Sequence, residues 1–259
     1  MLETKKVVSA ACALLVLGLL AGPHLTSAQA DTTMWEVTIT NLTAKQALSP
    51  PIIVTHASAA HAWQVGQVAS EGVELVAEEG MNDKLAAEVR SVATDMAMAT
   101  SPLMPGNSVT LKVMAHDGDV LSAATMLVQT NDGLTGLDNM PLADGSRETM
   151  AYDAGTEENT ELAAHVPGPP FNGHNAGTPT SPRQPISMHP GISGTADVGT
   201  DFNWSGPVAR FAVRSLGSMP GGMPNTGATD TAPLVLLALL AGVLSLAGLG
   251  LRRVIVTNR

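Results

Sequence analysis

The chain has 259 residues, of which 14% are charged, with a net charge of −10 and a single cysteine. That acidic balance repels phosphate backbones and anionic lipid, which excludes a nucleic-acid role. One cysteine cannot form an intramolecular disulfide, so a disulfide framework is excluded as well.

Taken in chain order, Met1 to Ala30 has three parts. Lys5 and Lys6 form a basic start, Val7 to Leu20 is nearly unbroken apolar chain, and Ala28-Gln29-Ala30 follows the Gly22-Pro23 break. This is the order of a secretory signal peptide, with cleavage expected before Asp31. Cys12 lies inside the apolar run, so the mature chain is expected to hold no cysteine and to rely on its core, on bound ions, or on both. Residues 31–226 carry 8 Lys and Arg against 21 Asp and Glu, a balance of −13 that suits solubility and cation binding. Their number suits one domain with a core of its own.

Trp35-Glu36-Val37-Thr38-Ile39-Thr40 alternates apolar and polar residues, which predicts a half-buried strand. After Pro50-Pro51, the run Ile52 to His56 predicts a second, more buried strand. Ser70 to Val92 is rich in Glu, Ala, Leu and Val, and predicts two short helices, 71–79 and 83–92, with Asn82 a candidate cap for the second. Pro105-Gly106 marks a turn, and Ser108 to Met114 alternates again. His116-Asp117-Gly118-Asp119 predicts a hairpin turn, with Val120 to Thr130 returning as a central strand. From Asn131 the chain reads as loop, through the Pro- and Gly-rich stretch from Pro167 to Pro185, until a last strand at Val208 to Val213. Trp35, Trp63 and Trp204 are expected in the core near strand ends. The pattern is all-β and antiparallel, with a small helical insertion.

The carboxy-terminal end is tripartite. Met223-Pro224-Asn225-Thr226-Gly227 precedes a short spacer, an 18-residue apolar run from Leu234 to Leu251, and Arg252-Arg253. As a helix the run spans roughly 27 Å, close to a bilayer core of about 30 Å, and the arginine pair suits a cytoplasmic stop. This tail resembles the sorting signal of bacterial sortase substrates, with Met223 where Leu is usual. The resemblance implies cleavage between Thr226 and Gly227 and transfer of Thr226 to the cell envelope. The expected organisation is a signal peptide over 1–30, a domain over 31–214, a stalk with the sorting motif over 215–233, a transmembrane segment over 234–251 and a cytoplasmic tail over 252–259. Sortase, envelope and membrane are the expected partners of this end.

Two acidic loops follow the predicted central strand. Asn131-Asp132-Gly133-Leu134-Thr135-Gly136-Leu137-Asp138 is one, and Tyr152-Asp153-Ala154-Gly155-Thr156-Glu157-Glu158 the other. A hard cation such as Ca2+ takes about 6–8 oxygen ligands, and glycines let carbonyls turn inward. Asp153 and Glu157 are four apart, so one turn of loop can bring both to one ion. The same clusters also serve as turns held by Asx hydrogen bonds, so composition leaves both readings open. The EF-hand order is not present.

Trp35 to Thr43, Ser49-Pro50-Pro51, Thr130-Asn131-Asp132-Gly133, the Asp-Ala-Gly-Thr-acid segment at Asp153 to Glu157 and the ending Asp201 to Val213 together resemble the spondin amino-terminal domain family, in its bacterial form. The resemblance implies an antiparallel β-sandwich similar to C2 domains, with a bound calcium. Its ligand positions fall on Asp132, Asp153 and Glu157, the last a Glu where the animal members carry Asp. It implies a surface-displayed module for adhesion or extracellular interaction, with a surface or matrix molecule as its partner, and not an enzyme. Two other readings stand beside it. One is a metal-dependent extracellular hydrolase using the same acids with His165 or His189, for which no catalytic motif is present. The other is a metal-free structural protein of the envelope.

Overall fold

A computed structural model of the chain describes residues 32–173, 177–180 and 182–219. Ten strands and two α-helices are built from them. They are β1 (Thr32–Asn41), β2 (Ile52–Ala57), α1 (Glu71–Glu79), α2 (Asp83–Val89), β3 (Ala93–Met98), β4 (Ser108–His116), β5 (Asp119–Met126), β6 (Gly133–Pro141), β7 (Gly145–Thr149), β8 (Tyr152–Asp153), β9 (Ser187–Met188) and β10 (Ala209–Met219). The signal peptide, the sorting motif and the apolar run expected at 234–251 lie outside the described residues. Among the described residues no helix is long and apolar enough to cross a membrane.

The strands form two antiparallel sheets, ordered β4-β1-β10-β7 and β3-β2-β5-β6-β8-β9. They share one core, to which the first sheet gives Val37, Ile39, Val113, Phe211 and Val213, and the second Ile53, Leu121, Ala123 and Leu137. The period-2 alternation of β1 and β4 produces this directly, because one face of that sheet meets the core and the other meets water. The expected sandwich is thus observed.

The six-stranded sheet is covered on both faces. Ile52 and Val54 of β2, with Ala124 and Leu134, pack on their outer side against Val73, Val76, Leu85 and Val89 of the helices and against Trp63. Burial on both sides is why the strand opens on three consecutive apolar residues, Ile52 to Val54, and why the polar Thr55 and His56 that follow are buried too. Helix α1 is capped by Ser70, whose hydroxyl accepts from Val73 N, and it ends on Gly80 at φ 67°.

Several bounds differ from expectation. The second helix ends at Val89, and Asn82 makes no side-chain cap; its Nδ2 donates to Pro50 O instead (2.7 Å). The strand expected over 120–130 ends at Met126. Segments 93–98, 133–141 and 145–149 are strands. β10 continues past Arg214 to Met219, where Ser218 and Met219 lie opposite Thr33 and Thr32, so the first residues of the expected stalk belong to the sheet. Of the tryptophans, Trp63 is buried and donates from Nε1 to Ala123 O (2.8 Å). Trp35 and Trp204 pack against the core edge.

Candidate functional site

The two acidic loops meet at one end of the sandwich. β5 leaves the sheet at Met126 and the chain reverses through a tight turn. Thr130 Oγ1 donates to Leu127 O (2.6 Å) and accepts from Gly133 N (2.9 Å). β6 then begins, and its first residues pair with β8, Gly133 opposite Asp153 and Leu134 opposite Tyr152. That register sets Asp153 beside Asp132. The hairpin of β4 and β5, together with Thr32 and Met219, occupies the other end of the molecule.

Asp132 is fully buried. Its Oδ2 accepts from Thr156 N (2.8 Å), Glu157 N (3.0 Å) and Thr156 Oγ1 (3.2 Å). Its Oδ1 is buried with no hydrogen-bond partner among the described residues. Burial, with the charge of Asp153 adding to it, raises this carboxyl from 3.8 to about 6, against the three donors that favour its charged form. A buried carboxylate oxygen without a donor or a cation is costly, by about 1–3 kcal/mol.

Asp153 accepts from Gly155 N on Oδ1 (2.8 Å) and from Asn159 Nδ2 on Oδ2. The turn between them depends on Gly155, at φ 70°, where a Cβ would stand 2.3 Å from Gln184 O. Glu157 is also buried. Burial first, and then the charge of Glu78, raise its carboxyl from 4.5 to about 7, and Asp132 and Glu79 add to the effect. Its carboxylate lies against Gly177, where a Cβ would come within 1.9–2.0 Å of it. Thr180 N to Thr156 O (2.9 Å) and Glu158 N to Thr178 O (2.8 Å) bind the 177–180 segment across the loop.

The structure therefore brings Asp132 and Asp153 together and anchors the main chain of Glu157 on Asp132. The stronger charged neighbour of the Glu157 carboxylate is Glu78, from α1. Among the described residues no group of three or more His, Cys, Asp or Glu side chains is placed to hold a metal ion. A cation held here takes carboxylates from Asp132 and Asp153 and fills its other positions with carbonyl, amide or water oxygens.

Glu78 and Glu161 complete this end without any sequence motif, alongside His189 and His165, the two histidines of the hydrolase reading. Glu78 is buried on α1, at the position where its helix faces the loop. Glu161, at φ 55°, is a clamp: its carboxylate accepts from Ser193 N (2.6 Å), Ser193 Oγ (2.9 Å) and Gly194 N (2.9 Å). His189 packs edge-on to Trp204 (5.1 Å) and accepts from Gly191 N on Nδ1 (3.0 Å). Burial lowers its pKa, against the charges of Asp153 and Glu161. His165 is held by Thr160 (2.9 Å). Only long-range contacts bring Glu78 and Glu161 to this end, so local pattern does not reveal them.

Compared with known proteins, the chain matches the Spondin_N family model over residues 40–187. No curated protein matches it.

Proposed function

The chain belongs to the Spondin_N family, and from that membership we propose that it is an exported, cell-surface β-sandwich module for adhesion or extracellular interaction, stabilised by calcium at its acidic end. In this reading the sandwich is of the C2-like kind. Asp132 and Asp153 are the primary ligands and Glu157 is the third, its longer side chain reaching in from the 177–180 strap. The observation that carries the reading is the buried Oδ1 of Asp132, which has no hydrogen-bond partner among the described residues and lies next to a second carboxylate. A calcium ion satisfies that oxygen and offsets the repulsion between the acids. In a mature chain without cysteine, it also ties the two loops together.

The module works by binding and not by catalysis. Its display rests on the tail: Met223, Pro224, Asn225, Thr226 and Gly227 as the sorting motif, with 234–251 as the membrane segment until a sortase acts. Mass spectrometry of the mature protein is expected to find Asp31 at the amino terminus and Thr226 linked to the envelope.

The calcium reading is tested by melting the full chain in mild detergent with EDTA, then with added calcium. A ligand at about 100 times its Kd adds about 2.7 kcal/mol. For a domain of this size that raises Tm by roughly 5–11 °C. The rise is expected with calcium and lost in Asp153→Ala. No rise in the parent chain leaves a metal-free sandwich.

A further inference from the structure

The two long seams of the sandwich are built differently. Along one seam the edge strands β3 and β4 are laced together. Asp95 Oδ2 accepts from Met114 N (2.8 Å), and from the adjoining β2 Thr55 Oγ1 donates to Met114 O (2.6 Å). Along the other seam lie β6 and β7. Among the described residues β7 pairs only with β10, and β6 pairs with β8 only at Gly133 and Leu134. The outer edge of β6 from Thr135 to Pro141 therefore has no strand partner, and neither does the outer edge of β7.

These two edges meet at both ends, through the 142–144 turn and through Thr135 Oγ1, which lies 2.8 Å from Thr149 Oγ1 and donates to Met150 O (2.8 Å). Between them is a cleft of about 350 Å3, with Trp63 and Tyr152 in its wall. Val65, 46% exposed, borders it.

One cation lines this cleft. Arg147 lies opposite Phe211, on the core-facing side of β7, yet at the sheet margin it is exposed. Five of the eight Lys and Arg among the described residues form salt bridges: Lys45, Lys84, Arg183, Arg210 and Arg214. Arg147 forms none. The acids beside it are already engaged, Asp138 with His61 (3.0 Å) and Glu148 with Arg210 (2.7 Å).

We propose that this cleft docks an extended, acidic segment of a partner protein, added as a strand to the free edge of β7 with its carboxylate on Arg147 and an apolar side chain against Tyr152 and Val65. Main-chain hydrogen bonds supply affinity in such strand addition, and side-chain pockets supply selectivity. An arginine fork suits a carboxylate. A second copy of the chain is a poor occupant. A continuous two-fold pairing of β7 centred on Arg147 sets it against its own mate, and one centred on Glu148 opposes two carboxylates. The proposal is independent of calcium, because none of its residues is an ion ligand.

The test is to pan a randomised seven-residue peptide display library against the full chain in mild detergent. Enriched peptides are expected to carry Asp or Glu at one position. Arg147→Ala weakens the best peptide roughly tenfold or more, the effect of losing a charged hydrogen bond. Arg147→Glu turns the selection toward Lys or Arg. Arg147 is exposed and has no salt-bridge partner among the described residues, so both variants are expected to melt with the parent, and Arg147→Ala stands if the reversal variant does not fold. N-methylating alternate amides of the best peptide abolishes binding in one phase and leaves it in the other. An acid preference that survives both variants overturns the proposal. So does the absence of any enriched peptide, indifference to N-methylation in both phases, or competition by free glutamate as strong as by the peptide.

Discussion

Replacing Asp132 by Asn separates the charge of the buried carboxylate from its shape. The amide keeps an oxygen for the donors of Thr156 and Glu157, but it has no proton to lose. In the parent, the folded-state pKa of about 6 stands above the ordinary 3.8. The folded chain therefore binds this proton more tightly than the unfolded chain does. Stability from this group is highest below pH 3.8 and falls as the pH rises toward 6. The difference is worth about 3 kcal/mol at about 1.4 kcal/mol per pH unit. About 2.4 kcal/mol of it falls between pH 4 and pH 7, because the unfolded carboxyl is already more than half ionised at pH 4. At roughly 2–4 °C per kcal/mol, the parent in EDTA loses about 5–10 °C of Tm over that range on account of Asp132. Asp132→Asn is expected to lack that loss. Any cost of burying the amide shifts its whole curve equally and leaves the difference intact. Added calcium at pH 7 restores the parent and leaves the variant unmoved. The measurement is a set of thermal melts of both chains at the two pH values, with EDTA and with calcium. An equal pH dependence in parent and variant refutes the argument.

Gly155→Ala forces φ 70° on a residue with a Cβ and drives that Cβ against Gln184 O. The expected loss is about 2–5 kcal/mol, read as a lower Tm together with a weakened calcium response. Ser70→Ala removes the cap on α1 and is expected to cost about 1 kcal/mol, or 2–4 °C, with the calcium response unchanged.

Legibility followed the environment of each segment. β1 and β4 alternate because one of their faces is wet, and β2 opens on three consecutive apolar residues because neither is. Both patterns are local and can be read from a single chain. β6 could not be read this way. Gly136 sits where a Cβ would come within 1.9 Å of Ala123 O, so the sheet demands a glycine that otherwise signals a loop. Asp138 and Asn139 lie where pairing becomes irregular, which deepened that impression. The last residues of β10, Ser215 to Met219, have a stalk-like composition and are strand only because Thr32 and Thr33 and their neighbours supply partners. At the acidic end, Asp132 and Asp153 were visible as a motif, and the pairing of Gly133 with Asp153 explains why the two loops meet. Glu78 and Glu161 arrive from distant elements, and nothing near them in sequence marks them, while His189 enters from the sequence only through the hydrolase reading.

The antiparallel register of Thr32 with Met219 has a mechanical consequence. β10 is an interior strand, flanked by β1 and β7. A tether joined beyond Met219 pulls along the length of that strand. Ladder hydrogen bonds run perpendicular to the strands, so they are strained together and not opened one after another. If the chain is held by that end, load enters the domain through an interior strand, with the acidic loops at the opposite end of the sandwich. Load entering there would meet the β1 ladder first, along Ser215 to Met219, and the β7 ladder only from Val213 inward, so the acidic loops at the opposite end would carry little of it.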